Sequence, residues 1–253
     1  MNKDVARVVA LGASNLTRGF QTVVSTARAA WGPDVEILGA LGHGRSYGAH
    51  SQVFFRRLPG ILESGLWSEL QSRPALPTRA LVTDVGNDIL YGFSAEQTLA
   101  WVEEALWRLG KVTSDIVVTG LPLVSIRRLS PVKFIALRSI LVPSCRLSHA
   151  HVLAAAEQVD SGLARLSAAI GATFLELDPA WYGFDPIHVR PSRWRHAWQK
   201  ILDAPGGEAP RPPRLEALGL YLLRPERRWL FGFEQMMPQS GVALRSGGRV
   251  WLY

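Results

Sequence analysis

The fold of this chain is decided by the stretch Leu11-Gly12-Ala13-Ser14-Asn15-Leu16-Thr17-Arg18-Gly19. The apolar residues 5–11 before it predict a buried β-strand, and the apolar spacing over residues 17–31 predicts a helix. Ser14 would then lie at the carboxyl end of the first strand, where open α/β sheets bind their ligands. The free N–H groups at the start of the helix suit a serine that acts as a nucleophile beside a developing oxyanion. The alternative is an ordinary turn in which Ser14 or Asn15 caps the helix.

Strand and helix patterns alternate along the next 190 residues. Further strands are predicted over residues 35–38, 79–84, 115–120 and 173–177. Helical spacing covers residues 94–109, 131–141, 149–170 and 192–202, and residues 50–70 are predicted to be helical in pieces. This alternation predicts a five-stranded parallel sheet with helices on both faces, an α/β three-layer sandwich with right-handed crossovers.

The composition changes after residue 203, where proline and glycine cluster. We therefore predict an α/β domain over residues 1–203, a linker over 204–214 and a small β-rich appendage over 215–253. Residues 242–253 predict a hairpin with a glycine turn. An appendage of this size is too small to be stable alone, so it should pack on the main domain or on a second copy in a homo-oligomer.

Composition excludes several classes of protein. The chain has 253 residues, 47% hydrophobic content and a net charge of +7, and it contains no apolar run long enough to span a membrane. The beginning lacks the layout of a signal peptide, so we expect a cytoplasmic protein. The basic residues are scattered, which argues against nucleic acid as a partner and leaves a preference for anionic substrates open. The single cysteine, Cys145, excludes an internal disulfide and a cysteine-rich metal site.

Polar residues follow several of the predicted strands. Ser14 follows the first strand, Gly42 and Gly44 the second, Asn87 the third, and the pair Asp185 and His188 the fifth. Strand ends of a doubly wound sheet converge on one crevice, so these residues should meet there. A serine, a histidine that accepts its proton, a carboxylate that orients the histidine and donors for an oxyanion are what serine-hydrolase chemistry needs. Taken singly, His188 could equally be a loop histidine, and Asn87 is more often a turn residue.

Four blocks in this order resemble the SGNH (GDSL-type) hydrolases: Gly12-Ala13-Ser14, the glycine near position 44, Gly86-Asn87-Asp88 and Asp185-x-x-His188. The resemblance covers roughly residues 5–203. It implies a flavodoxin-like three-layer fold and a serine esterase without metal or organic cofactor.

The resemblance also implies a role for each site residue. Ser14 would be the nucleophile, His188 the base and Asp185 the orienting acid. The oxyanion hole would consist of the Ser14 amide, the Gly44 amide and the Asn87 side chain, with Gly42 as the second choice for the glycine.

The chain departs from the family pattern at three positions. Ala13 replaces the family's aspartate, Asn15 introduces an extra residue after the nucleophile, and Val85 replaces a glycine. We predict a carboxylic-ester hydrolase acting on a small-molecule ester, with Arg45, Arg190 and Arg193 selecting anionic substrates. The alternatives are a thioesterase or carbohydrate deacetylase with the same site, a catalytically silent binding protein, and a nucleotide-binding domain that uses residues 39–48.

Overall fold

Strands and helices alternate along most of the chain. The structure is a computed structural model that describes residues 5–142, 145–207, 209, 213–244 and 247–253. The strands in these ranges are β1 (Arg7–Leu11), β2 (Glu36–Ala40), β3 (Ser51–Val53), β4 (Arg56–Leu58), β5 (Thr78–Val82), β6 (Ile116–Thr119), β7 (Thr173–Leu175), β8 (Arg227–Leu230), β9 (Phe233–Met236), β10 (Val242–Ala243) and β11 (Arg249–Leu252). The helices are α1 (Ser14–Trp31), α2 (Leu66–Ser72), α3 (Asn87–Leu90), α4 (Ala95–Gly110), α5 (Leu123–Arg127), α6 (Pro131–Leu141), α7 (His149–Ile170), α8 (Trp194–Ile201) and α9 (Arg214–Leu222). Short 3-10 helices cover Ile61–Glu63, Pro179–Trp181 and Pro191–Arg193.

The main sheet has β1 near its middle. Its described strands follow the order β10-β11-β2-β1-β5-β6-β7, and every neighbouring pair is parallel except β10 with β11. Leu11 at the end of β1 lies opposite Ala40 of β2 and Val82 of β5. The three strands therefore end at the same level, and the loops that leave them share one crevice.

Apolar side chains cover both faces of this sheet. Alternate residues of β1 serve the two faces: Val9 and Leu11 pack with α2, α4 and α7, whereas Val8 and Ala10 pack with α1 and α8. This arrangement confirms the predicted three-layer α/β fold. Among the described helices, none has both the length and the apolar character that crossing a bilayer requires.

The predicted number of five strands is wrong. β11 pairs in parallel with β2, with Val250 opposite Ile37, and β10 extends the sheet by a further strand. Val250 is fully buried, and the pairing covers the unpaired backbone groups that β2 would otherwise expose at an edge. The hairpin predicted over residues 242–253 is present as β10 and β11, with residues 245–246 of its turn outside the described ranges. The rest of the predicted β-rich segment begins with a helix, α9, and the predicted linker lies partly outside the described residues.

Residues 50–58 hold a second difference from the predicted pattern. They form the antiparallel pair β3 and β4 instead of a broken helix. β4 also pairs with β8, and β8 with β9, so that these strands build a four-stranded antiparallel sheet. The segment after residue 214 therefore contributes strands to both sheets and packs on the main domain. The second sheet contacts the loop after β2, because Arg56 Nη2 donates a hydrogen bond to the His43 carbonyl oxygen (3.4 Å).

Candidate active site

Ser14 is the first residue of α1, two residues beyond Gly12 at the end of β1. Its side chain is half-buried. The amide of a residue in the first turn of a helix has no acceptor within that helix. The local sequence therefore places a hydroxyl and a free backbone donor side by side at the carboxyl edge of the sheet.

The loop after β7 brings a histidine to this hydroxyl. His188 Nε2 lies 2.9 Å from Ser14 Oγ, and His188 Nδ1 lies 2.6 Å from Asp185 Oδ2. The other carboxylate oxygen of Asp185 accepts the amides of Ile187 and His188, each at 3.2 Å. These two bonds close a tight turn, which explains why a spacing of three residues points both side chains at one place. In the neutral histidine, a proton on Nδ1 bound to Asp185 leaves Nε2 to accept the Ser14 hydroxyl proton.

The Asp185 carboxylate is held in its charged form. Burial alone would raise its pKa, but the hydrogen bond from His188, the charge of His188, the Ile187 amide and the charge of Arg18 together bring the pKa below its ordinary value. Arg18 Nη1 lies 3.7 Å from Asp185 Oδ2. A carboxylate that stays ionised stabilises an imidazolium that forms beside it.

Of the predicted oxyanion donors, the structure places Ser14 and Asn87 on one cavity. Asn87 is the first residue of α3 and lines the same cavity as Ser14. Gly44 lies in the turn closed by the Arg45 amide on the Gly42 carbonyl oxygen (3.0 Å), with a φ of +67° that favours glycine. The Tyr91 hydroxyl donates to the Gly44 carbonyl oxygen at 2.5 Å and so fixes this turn against the loop after β5.

Asp88 ties the loop after β2 to the loop after β5. It is fully buried and accepts the Tyr47 amide at 3.1 Å. Burial raises the pKa of Asp88 to about 6, against the opposing hydrogen bonds from Ser46 and the Tyr47 amide. Asp88 acts on the reacting atoms only by holding these loops, so we assign it a structural role.

The three arginines predicted to bind substrate are elsewhere. Arg45 is fully buried, and its guanidinium donates to the carbonyl oxygens of Pro59, Leu41 and Tyr253. The prediction that Arg45 binds substrate does not fit this position, because its Nε and Nη1 are bonded to the backbone and no solvent reaches the side chain. Arg190 is exposed and donates to the Ala180 carbonyl oxygen (2.6 Å), and Arg193 ends an exposed 3-10 helix. Neither lines the cavity beside Ser14.

Comparison with known proteins gives likenesses in structure and none in sequence. No protein-family model matches the chain, and no curated protein matches it. Among solved structures, the psychrotrophic esterase EstA from Pseudoalteromonas sp., inhibited by monoethylphosphonate, is similar with 12% sequence identity and a TM-score of 0.50, over 79% of this chain and 96% of that chain. A GDSL-like lipase from Bacteroides thetaiotaomicron is similar over 80% of this chain and 90% of that chain, with 11% identity and a TM-score of 0.48. The chain shares the fold of EstA.

A carboxylate from the loop after another strand lies beside Ala13. Asp84 follows β5 with a φ of 59°, a left-handed conformation that aspartate tolerates. One of its oxygens, Oδ2, accepts the amides of Ala13 and Leu16, each at 3.0 Å. The beginning of α1 is therefore capped by a side chain from 70 residues away in place of a local one, which stabilises the helix that carries Ser14.

Asn15 joins this cap to the histidine loop. Its Nδ2 donates to Asp84 Oδ1 and to the Ile187 carbonyl oxygen, both at 2.9 Å, and its Oδ1 accepts the Val189 amide at 2.8 Å. Both backbone groups that flank His188 are thus held by one side chain. The sequence analysis missed Asn15 and Asp84, because no local pattern shows that residues 15, 84 and 187–189 meet.

The cleft opens on one side of Ser14 into an apolar cavity. Its enclosed volume is about 110 Å³. Apolar side chains from the loop after β5 and from α5, α6 and α7 line it, among them Ile89, Leu121, Ile126, Phe134 and Val152.

His43 lies on the other side of Ser14, in the loop after β2. Burial, together with the charges of Arg56, Arg18 and His188, lowers its pKa to about 4. His43 is therefore uncharged at neutral pH and lies among cationic groups. The sequence analysis treated it as a surface or packing residue. Across the described residues, no three side chains of the metal-binding types converge on this cleft.

Proposed function

We propose that this chain hydrolyses carboxylic esters through an acyl intermediate on Ser14. The observation that carries the proposal is the unbroken hydrogen-bonded series from Asp185 through His188 to Ser14, which borders an apolar cavity. The likeness in fold to an esterase agrees with it.

In the first half of the reaction, Ser14 Oγ attacks the ester carbonyl carbon while His188 Nε2 takes the hydroxyl proton. Asp185 keeps the imidazole oriented and stabilises the imidazolium. The tetrahedral intermediate collapses, and His188 returns the proton to the departing alcohol. In the second half, His188 takes a proton from water, which attacks the acyl-serine and releases the acid.

The negative charge that develops on the carbonyl oxygen needs fixed donors. We assign this role to the Ser14 amide, the Asn87 side chain and the Gly44 amide. The first two border the same cavity, and the turn that contains Gly44 is fastened by Tyr91. Removing one such donor from a hydrolase typically costs about 10²–10³ in kcat.

The apolar cavity takes the acyl group. Side chains such as Leu121, Phe134 and Val152 offer no polar partner, so the cavity favours a hydrocarbon chain over an acetyl group on a sugar. Burying each methylene contributes about 0.8 kcal/mol, or about fourfold in kcat/KM, until the chain outgrows the cavity. Across a series of esters of one alcohol, kcat/KM should therefore rise with the length of the acyl chain. An assay with the acetic ester alone would not reveal this trend.

Labelling by a fluorophosphonate probe tests the nucleophile. We expect the wild-type chain to be labelled, Ser14→Ala to be unlabelled and Ser25→Ala, on the same helix, to be labelled as wild type. Loss of labelling in Ser14→Ala alone would support the proposal. An unlabelled wild type would instead favour a silent binding protein, and a labelled Ser14→Ala would place the nucleophile elsewhere.

A further inference from the structure

The substrate cleft has two chemically different sides. Ser14 follows β1, which lies between β2 and β5 in the sheet. The loops after β5 and β6 line the apolar cavity, whereas the loop after β2 carries His43 and contacts the second sheet. An ester whose acyl chain occupies the cavity must therefore direct its alcohol part towards the β2 side.

Two arginines flank that side. Arg18 lies one helical turn after Ser14, on the same face of α1, and its side chain is 43% exposed. Arg56, on β4, is half-buried and donates to the His43 carbonyl oxygen. Arg18 thus lies beside Asp185, and Arg56 binds the loop after β2 from β4.

The positive charge there is not neutralised by neighbouring acids. Arg18 faces Asp185 at 3.7 Å, but that carboxylate is already bonded to His188. In the part of the chain that the structure describes, neither Arg56 nor Arg228 has a carboxylate within 4.0 Å. Burial lowers the pKa of Arg56, and the charge of the nearby Arg228 lowers it further, which shows that like charges are gathered here. A half-buried guanidinium group without a carboxylate partner, such as that of Arg56, is suited to bind a phosphate or carboxylate group, and Arg18 adds a second positive charge.

We propose that Arg18 and Arg56 form a subsite for an anionic group on the alcohol part of the substrate. The substrate class is then an ester of a hydrocarbon acyl chain with an alcohol that bears a phosphate or a carboxylate. This inference rests on the proposed esterase function. In place of the arginines predicted from the sequence, Arg45, Arg190 and Arg193, it assigns Arg18, which lies 3.7 Å from Asp185, and Arg56, which binds the His43 carbonyl oxygen.

Three esters with similar phenolic leaving groups test the subsite: para-phosphonooxyphenyl, para-carboxyphenyl and para-carbamoylphenyl octanoate. We expect wild-type kcat/KM to be about tenfold higher for an anionic ester than for the neutral carbamoyl ester. A factor of about ten corresponds to one charge-assisted hydrogen bond in a half-exposed site. The ratio between the phosphate and carboxylate esters identifies which anion the subsite prefers. The preference should fall as salt rises, because both arginines are partly accessible to solvent.

Arg56→Gln is the informative variant. A change at Arg18 would also alter the charge beside Asp185, whereas Arg56 is remote from that carboxylate. We expect Arg56→Gln to reduce the ratio of kcat/KM for the anionic ester to kcat/KM for the neutral ester to less than about threefold. Arg190→Gln is the matched control and should keep the full preference. A wild type that hydrolyses all three esters equally, or an Arg190→Gln that loses the preference while Arg56→Gln keeps it, would overturn the inference and leave the esterase function standing.

A binding measurement separates the two proposals. Octyl phosphate, which cannot be hydrolysed at a carboxylic ester, is titrated by calorimetry into Ser14→Ala and into Ser14→Ala with Arg56→Gln. We expect the second protein to bind about tenfold more weakly. This weakening without any hydrolysis of the esters by wild type would support the subsite and refute the esterase function. Equal binding by the two proteins would refute the subsite whatever the hydrolysis shows.

Discussion

Replacing Asn15 with alanine should reduce the rate of ester hydrolysis far more than it reduces the stability of the chain. The substitution removes three hydrogen bonds, to Asp84 Oδ1, to the Ile187 carbonyl oxygen and from the Val189 amide. Two of these bonds hold the backbone on either side of His188. The substitution leaves Ser14, His188 and Asp185 unchanged, so its effect on rate measures how strongly the histidine must be positioned.

The magnitudes distinguish a positioning effect from unfolding. A hydrogen bond contributes about 0.5–1.5 kcal/mol net, and one to a charged group contributes more. Asn15 is half-buried, so water can replace part of the loss, and we expect the free energy of unfolding to fall by about 2 kcal/mol. A domain with a typical 5–15 kcal/mol of stability stays more than about 99% folded after such a loss. A displacement of His188 by about 1 Å, in contrast, costs on the order of 10² in kcat.

The assay compares kcat for a neutral octanoate ester with the free energy of unfolding in urea. Thr113→Val is the matched control, because the Thr113 hydroxyl donates to the Thr78 carbonyl oxygen and accepts the Asp115 amide at the other end of the sheet. We expect the control to lose similar stability and keep its kcat. If Asn15→Ala retained kcat within about threefold while losing stability, the positioning role would be refuted.

Two further predictions concern buried positions around the cleft. Asp88 has a folded-state pKa of about 6, above its ordinary 3.8. Protonation of Asp88 therefore stabilises the folded state. This stabilisation is fully present below pH 3.8 and is lost as the pH rises through 6. The shift of about two units corresponds to about 3 kcal/mol, so the neutral variant Asp88→Asn should gain about that much relative to wild type between pH 4 and pH 7, as measured by urea unfolding; a difference that does not change with pH would contradict this. Gly48→Ala places a Cβ 2.0 Å from the Trp101 ring and should cost about 1–3 kcal/mol, whereas Gly110→Ala, with open space around it, should be neutral or slightly stabilising; equal melting temperatures for the two variants would contradict the packing.

Local pattern was sufficient for the long helices and for the main-sheet strands between β1 and α8, though not for β3 and β4. The helix predicted over residues 149–170 has those bounds in the structure, because its apolar side chains recur every three or four residues and Ser148 and Gly171 mark its ends. The meeting of Ser14 with the Asp185 and His188 loop also followed from pattern. Once the strands are parallel, their carboxyl ends share one edge of the sheet, and residues that follow them are brought together.

The same reasoning failed where pairing joins segments that are distant in the chain. The sequence of β11 predicts a hairpin strand equally well whether it pairs with β10 alone or also with β2, more than 200 residues earlier. The arginines show the same limit. Nothing local distinguishes Arg45, which is buried on backbone carbonyl oxygens, from Arg56, which reaches the mouth of the cleft.

For this protein, the sequence by itself determined the α/β class, the bounds of its long helices and the set of polar residues at the strand ends, because these depend on periodicity and on strand direction. Tertiary structure alone decided that β11 completes the main sheet, that Asp84 and Asn15 hold the first helix against the histidine loop, and which arginines border the cleft. These contacts join residues 70 to more than 200 positions apart, and their energies depend on burial and geometry that exist only after the chain has packed.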